Sequence, residues 1–468
     1  MDLFIPWFQC VWELRHACSR GATFMWMSLA LLGFSVRPDL AGVTSFVRAS
    51  WLFPETYRRL LHMFHSEGLV LETLTKLWVR MSLKLFNPLR EGERLVCVAD
   101  GLKVPKEGRK MPAVKKLHQE SGDNFKAEFF FGHSFQVVGL LVQGALGQVC
   151  SVPLASRIHE GVIFSNRDKR SLLDKLAALF LSISPFLDGL VILVADAYYA
   201  SRKVIRPLLK KGHHLLTRVR SNTVAYHPAP KIPKPGPGRP RFYGDKVRLR
   251  DFWAKKDCFV TAPSPVYGET KVMLSYYSVD LLWRPIGKFV RFVLVKHPLR
   301  GRLILMTTDC NIVPLRVIAL YGFRFKIEVS FKQALRTLGS YAYHFWMKDM
   351  TPIPRRSGNQ YLHMKTDNYR RLVRRKMDAY HRYVQLGCIA QGLLQHLSLN
   401  YRKKVWEHFN SWMRTMNPSQ PPSEAVVAQA LRSSLPEFLL FAPDTHKLKK
   451  FIMENIDSER CRPLQLAG

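Results

Sequence analysis

Two short apolar runs, far apart in the chain, each end on an aspartate. Leu95-Val96-Cys97-Val98-Ala99 runs into Asp100, and Leu190-Val191-Ile192-Leu193-Val194-Ala195 runs into Asp196. Each run is too short for a helix and rich in β-branched residues, so each reads as a buried strand. A carboxylate closing such a strand is costly unless it is paired or bound to a cation. One such aspartate alone reads as the first residue of a turn, Asp100-Gly101 or Asp196-Ala197. Two matched strands ending alike point to a shared site.

The segments around these runs set the fold class. Residues 128–143 and 148–158 read as two further strands joined through Gly144-Ala145-Leu146-Gly147. Ser165 opens a helix carrying Leu172, Leu176, Leu179 and Phe180. A second helix over 202–209 ends at Gly212, and a strand follows over 214–219. Strands and helices in this order predict an α/β fold with a mixed sheet. Residues 228–240 break the pattern with six prolines (Pro228, Pro230, Pro233, Pro235, Pro237 and Pro240), which exclude helix and central strand. Strand-like runs at 272–279 and 289–295 follow, so 220–300 reads as a β-rich insertion led by an extended basic arm. Residues 303–306 return to strand, and 313–338 read as one helix ended by Gly339.

Composition enters through charge. Lys and Arg number 71 against 35 Asp and Glu, a formal net charge of +36, in a chain that is 47% hydrophobic. That apolar content excludes a disordered basic tail, so the charge sits on a folded surface. Such a surface suits a polyanion, nucleic acid before an acidic membrane. The stretch 22–36, bounded by Arg20 and Arg37, is shorter than the roughly 18–20 residues of a spanning helix. No membrane association is expected. The eight cysteines form no Cys-x-x-Cys pair and read as reduced residues of a cytoplasmic protein, with no zinc site among them.

The third acid comes from the helix over 313–338. Tyr321, Arg324 and Glu328 share one face, continued by Lys332 and Arg336, while Phe323, Ile327, Phe331 and Leu338 form an apolar stripe. Taken alone, the polar face is equally well a solvated salt-bridge ladder. Together with Asp100 and Asp196, it makes a site for hard, oxygen-liking cations, Mg2+ or Mn2+ and not Zn2+.

The segments Val96-Cys97-Val98-Ala99-Asp100-Gly101, Leu193-Val194-Ala195-Asp196-Ala197-Tyr198-Tyr199 and Tyr321-Gly322-Phe323-Arg324-Phe325-Lys326-Ile327-Glu328 carry a resemblance. They are similar to the motifs of DDE transposases with an RNase H-like core, from bacterial insertion-sequence groups with a β-rich insert between the second Asp and the Glu. The third segment matches that group's Tyr-x2-Arg-x3-Glu signature. The signature continues with a Lys seven residues past the Glu, where this chain has Leu335; Lys332 or Arg336 is then expected to supply the charge.

The resemblance implies an RNase H-like mixed-sheet catalytic core over 91–219 and 301–345. It is interrupted by the insertion at 220–300 and flanked by a helical region at 1–90, expected to bind DNA, and a basic helical region at 346–468, the two together expected to supply most recognition of the element's ends. It implies a cut-and-paste DNA transposase acting on terminal inverted repeats and target DNA, at least dimeric in the synaptic complex and associated with the bacterial nucleoid. Asp100, Asp196 and Glu328 would hold two Mg2+ ions about 4 Å apart, with Mn2+ able to substitute. Tyr321, Arg324, Lys332 and Arg336 are expected on DNA phosphates. Arg370, Arg371, Arg374 and Arg375 add a basic helical surface that also includes Arg382. Arg239 and Arg241, in Pro237-Gly238-Arg239-Pro240-Arg241, resemble a minor-groove hook. Trp253 and Trp283, in the insert, read as core residues.

Two rivals share the substrate. A non-enzymatic or catalytically decayed DNA-binding protein explains the charge but leaves the three acids without a role. A tyrosine recombinase would use His297-Pro298-Leu299-Arg300 with Tyr321, but Pro298 and Gly301 place that pair in a turn between strands.

Overall fold

The computed structural model describes residues 3–119, 128–230, 240–343 and 346–460. Five strands form its centre: β1 (Arg94–Pro105), β2 (Phe129–Gln143), β3 (Val149–Ile158), β4 (Val191–Ala195) and β5 (His214–Val219). They lie side by side in the order β3-β2-β1-β4-β5. The first three form an antiparallel meander, β4 runs parallel to β1, and β5 runs parallel to β4. This is the expected RNase H-like core.

Parallel neighbours need crossovers. The helix Leu172–Ile183 carries the chain from β3 to β4, and the helix Arg202–Lys210 carries it from β4 to β5. The first helix starts at Leu172, later than the Ser165 start read from the sequence. Ser171 and Asp174 form a capping box there, with the Ser171 N–H 2.7 Å from Asp174 Oδ2. The preceding residues are held in a turn by the Arg170–Asp168 ion pair. Every residue of β4 is buried, as its apolar run requires.

The insertion does not stand apart as its own module. Its strands β6 (Met273–Trp283) and β7 (Lys288–His297) extend the core sheet through β8 (Gly301–Thr307), the strand that follows the insertion, because β8 pairs antiparallel with β5, β7 with β8, and β6 with β7. Trp283 is buried there, and Trp253 stacks on Phe259. Arg239 lies outside the described residues. The Arg241 guanidinium is turned back onto its own chain, donating to the carbonyls of Tyr243 and Gly244.

Helices surround the sheet. The N-terminal helices Phe4–Trp12, Gly21–Val36, Val43–Ala49, Thr56–His65 and Leu71–Leu85 pack with the C-terminal helices Asp367–Asn400 and Glu424–Phe441. One continuous apolar core reaches from Leu3 to Ile456. Gly21–Val36 is buried in it, and no described helix is long and apolar enough to cross a membrane. Arg382, read from the sequence as part of a basic surface, points inward. It donates to the carbonyls of Leu69 and Phe64 and so ties the N-terminal helices to the long helix Asp367–Asn400. The described cysteines are all free thiols.

β3 is an edge strand, and an unpaired edge is a liability. Here side chains close it. Trp78 Nε1 donates to the Pro153 carbonyl (2.9 Å), Gln385 Nε2 to Leu154 (2.9 Å) and Gln395 Nε2 to Ser151 (3.2 Å). The long helix can approach this closely because Gly392 faces the Trp78 ring. A Cβ on Gly392 would lie 2.2 Å from the nearest ring atom. Alanine at that helical position gains about 1 kcal/mol of propensity, but overpacking a buried indole costs about 1–3 kcal/mol. G392A is therefore expected to lower the melting temperature, whereas the propensity gain alone would raise it. Thermal unfolding followed by circular dichroism reads the sign.

Candidate active site

Register builds the first half of the site. Ala99 of β1 stands opposite Ala195 of β4. Asp100 and Asp196 therefore follow at the same level on neighbouring strands, about 5 Å apart. β4 stops there because Ala197–Tyr199 turn into a 3-10 helix. The Asp196 carbonyl accepts from the Tyr199 N–H (3.0 Å) and from the Thr217 hydroxyl (2.8 Å) of β5. β1 continues past Asp100, whose Oδ1 accepts from the Gly101 N–H at 2.8 Å.

The Glu328 segment supplies the second half, and it is not one helix. It comprises the helix Pro314–Gly322, a 3-10 turn Phe323–Phe325, and the helix Lys326–Arg336. The apolar stripe still packs inward, with Phe323, Ile327, Phe331 and Leu338 buried. Tyr321 and Arg324 still face the strands, beside Asp196. Arg324 donates to Asp100 Oδ2 at 3.0 Å and to Glu328 Oε1 at 2.6 Å. One guanidinium thus spans the carboxylates of the first and third acids.

The electrostatics follow from burial and crowding. Burial pushes the Asp100 carboxyl up to about 6. The charges of Asp196 and Glu328 push the same way, against the Gly101 N–H and Arg324. For Arg324, burial works against the charge, yet the surrounding Asp100 and Glu328 carboxylates raise its pKa. Burial also raises the Tyr321 phenol. Among the described residues, no hydrogen bond or ion pair is made to the Asp196 carboxylate, so it stands as an open oxygen donor.

These donors are hard carboxylate oxygens and fit a divalent cation in kind. No group of three or more His, Cys, Asp or Glu is assembled to hold a metal among the described residues. Arg324 instead bridges Asp100 and Glu328 with its own positive charge.

The remaining sequence candidates divide. Tyr321 and Arg324 line a compact pocket of about 250 Å3 together with Asp196. Lys332 and Arg336 are exposed on the Glu328 helix and line neither of the clefts flanking the carboxylates. Leu335 packs against the core. Arg370 pairs with Asp367, and Arg371 donates to Asn368. Arg371, Arg374 and Arg375 line a separate cavity with His62 and His65, away from the acids.

Sequence reasoning missed the walls of the site. An open cleft of about 690 Å3 runs from Asp100 and Asp196 past Lys103, Lys115, Lys116 and His118. On the other side, the compact pocket adds Arg218, His297 and Arg300. Arg218 had a faint signal, since it follows Thr217 on the strand beside β4. Lys103, Lys115, Lys116 and His118 lie on strands that carry no motif, and His297 and Arg300 are marked in the sequence only as a recombinase-like pair in a turn, not as a wall of this site.

A family model described as DDE superfamily endonuclease matches residues 19–264, more than half of the chain. The match includes Asp100 and Asp196 and ends before Glu328. No curated protein matches the chain.

Removing Arg324 should favour cation binding, because it frees two carboxylates. R324A is expected to bind Mn2+ about tenfold more tightly than the parent chain, a gain of about 1.4 kcal/mol. Mn2+-induced thermal stabilisation measures this. Unchanged or weaker binding would place the metal elsewhere.

Proposed function

The chain belongs to the DDE superfamily endonucleases, and from that premise we propose that it is a cut-and-paste DNA transposase. Nucleases of this superfamily act on DNA and generally use divalent metal ions. The observation that carries the reading is the convergence of Asp100 and Asp196 at one level of two paired strands, with Glu328 tied to Asp100 through a single guanidinium.

In this reading Asp100, Asp196 and Glu328 hold two Mg2+ ions, for which Mn2+ can stand in. Bound there, the cations would lower the pKa of an attacking hydroxyl and stabilise charge on the leaving oxygen. The chemistry is phosphoryl transfer of two kinds, hydrolysis and strand transfer, with the second strand also cut before the element leaves the donor. Water attacks the phosphorus at the element's end, the P–O3′ bond breaks, and the free 3′-hydroxyl takes the proton. That hydroxyl then attacks a target phosphodiester, forming a new P–O3′ bond and releasing a target 3′-hydroxyl.

The chain's own residues bind and orient. Register fixes Asp100 and Asp196 side by side, and Thr217 holds the Asp196 backbone. Arg324, once its carboxylate partners turn to the cations, is the guanidinium nearest the reacting phosphate, and Tyr321 can donate a hydrogen bond beside it. The lysines of the open cleft suit the DNA backbone. Lys332, Arg336 and the arginines at 370, 371, 374 and 375 would add phosphate contacts outside the catalytic cleft. Joining two DNA ends calls for a dimer or larger assembly, expected at the bacterial nucleoid.

The test is cleavage of duplex DNA carrying the sequence that flanks the coding region. With Mg2+ the full chain should cut, and with EDTA it should not. D100N, D196N and E328Q should each lose about a thousandfold or more in rate, the scale of several kcal/mol of lost charge stabilisation, while still shifting the duplex in a gel. Near-normal cutting by D196N would refute the assignment. Y321F should keep part of the activity; complete loss with a covalent protein–DNA adduct in the parent chain would favour a recombinase. A chain that binds DNA but never cuts would favour the non-enzymatic reading.

A further inference from the structure

The compact pocket beside Asp196 has a charge balance that the three acids do not explain. Three guanidiniums line it, Arg218, Arg300 and Arg324, against the one carboxylate of Asp196. They come from three separate elements: β5, the turn between β7 and β8, and the 3-10 turn before Glu328. Arg324 is already committed, with hydrogen bonds to Asp100 and Glu328. Arg218 is not. Its side chain is exposed, and among the described residues its guanidinium makes no hydrogen bond or ion pair.

Arg300 is held in a built turn. Glu269, whose side chain is 11% exposed, receives the Arg300 guanidinium at 2.7 Å on Oε1. Its other oxygen accepts from His297 Nε2 at 2.8 Å and from the Ser264 hydroxyl at 2.5 Å. His297 is buried, and its Nδ1 accepts the backbone N–H groups of Leu299 and Arg300 at 3.2 Å each. Those two acceptances place the ring proton on Nε2, facing Glu269. The turn is therefore fixed from both ends, and Arg300 keeps half its side chain open to the pocket.

We propose that this pocket is a binding site for a single phosphate of the DNA backbone, adjoining the one that is cut, held by Arg218 and Arg300 with Glu269 as the positioning residue for Arg300. The inference rests on the transposase reading and deepens it. Guanidiniums suit this role because their planar fork meets two phosphate oxygens at once. Glu269 satisfies only one side of Arg300 and fixes its direction, which lowers the ordering cost when the phosphate arrives. The pocket also gives a chain with Leu335, packed against the core, a cation next to Asp196. That cation comes from β5 and from the insertion, not from the Glu328 helix.

The test measures how salt weakens binding of the full chain, in EDTA so that nothing is cut, to a fluorescein-labelled duplex carrying the flanking DNA. Each phosphate contact contributes about 0.9 to the slope of log affinity against log salt. R218A should lower the slope by about one contact and weaken binding about tenfold, and R218K should restore the slope. R300A and E269Q should each give a smaller loss of slope, and the double variant should be no worse than R300A alone. Melting temperature accompanies each variant. R218A is exposed and unpaired, so its fold should be unaffected even if E269Q destabilises the turn. A normal slope and affinity for both R218A and R300A, in a parent chain that is itself strongly salt-dependent, would overturn the pocket and leave the transposase reading intact. A parent chain without salt-dependent binding would overturn both.

Discussion

The parallel pairing of β1 with β4 is the constraint on which the site depends. A one-residue slip would turn one aspartate to the opposite face of the sheet, because side chains alternate along a strand. Ala99 opposite Ala195 excludes that slip, and the two buried runs, 95–99 and 191–195, make the register costly to change. The two helical crossovers exist to return β4 and β5 to that position. The helical shell exists, in packing terms, to bury what the sheet leaves uncovered.

Charge organises everything around that pair. The chain carries a large excess of cations, yet its centre gathers carboxylates. Those acids remain together because Arg324 lies between two of them, while burial and mutual repulsion raise the Asp100 carboxyl. A divalent ion and a guanidinium offer the same thing to such a cluster: positive charge with directional reach. The cations of the cleft walls then face outward, where a polyanion can meet them. An acidic centre rimmed by base is a coherent electrostatic design for cutting a phosphodiester.

Much of the core was legible from local pattern. The apolar runs before Asp100 and Asp196 could be strands and nothing else, and the Tyr321, Arg324 and Glu328 spacing survived even though the helix carrying it breaks into three pieces. It survived because a 3-10 turn keeps neighbouring residues on nearly the same face as an α-helix does. What local pattern missed was the direction of long charged side chains. Arg382 sits in a run that reads as basic surface, but a buried carbonyl pair draws it inward. Arg218 looks unremarkable in sequence and Arg300 was marked only by a recombinase-like pair, and only sheet pairing brings them beside Asp196. The insertion read as its own module because pairing between β8 and β5 leaves no local mark.

The seam along the outer edge of β3 limits how copies of this chain can meet. Strand carbonyls that might have recruited a neighbour's backbone are already engaged by an indole and two carboxamides from the same chain. Sheet-to-sheet fusion at that margin is thus foreclosed, and with it the commonest route by which β-proteins cling to one another indiscriminately. Assembly at that end must be negotiated through side-chain surfaces, which can be specific and reversible in a way that exposed backbone is not.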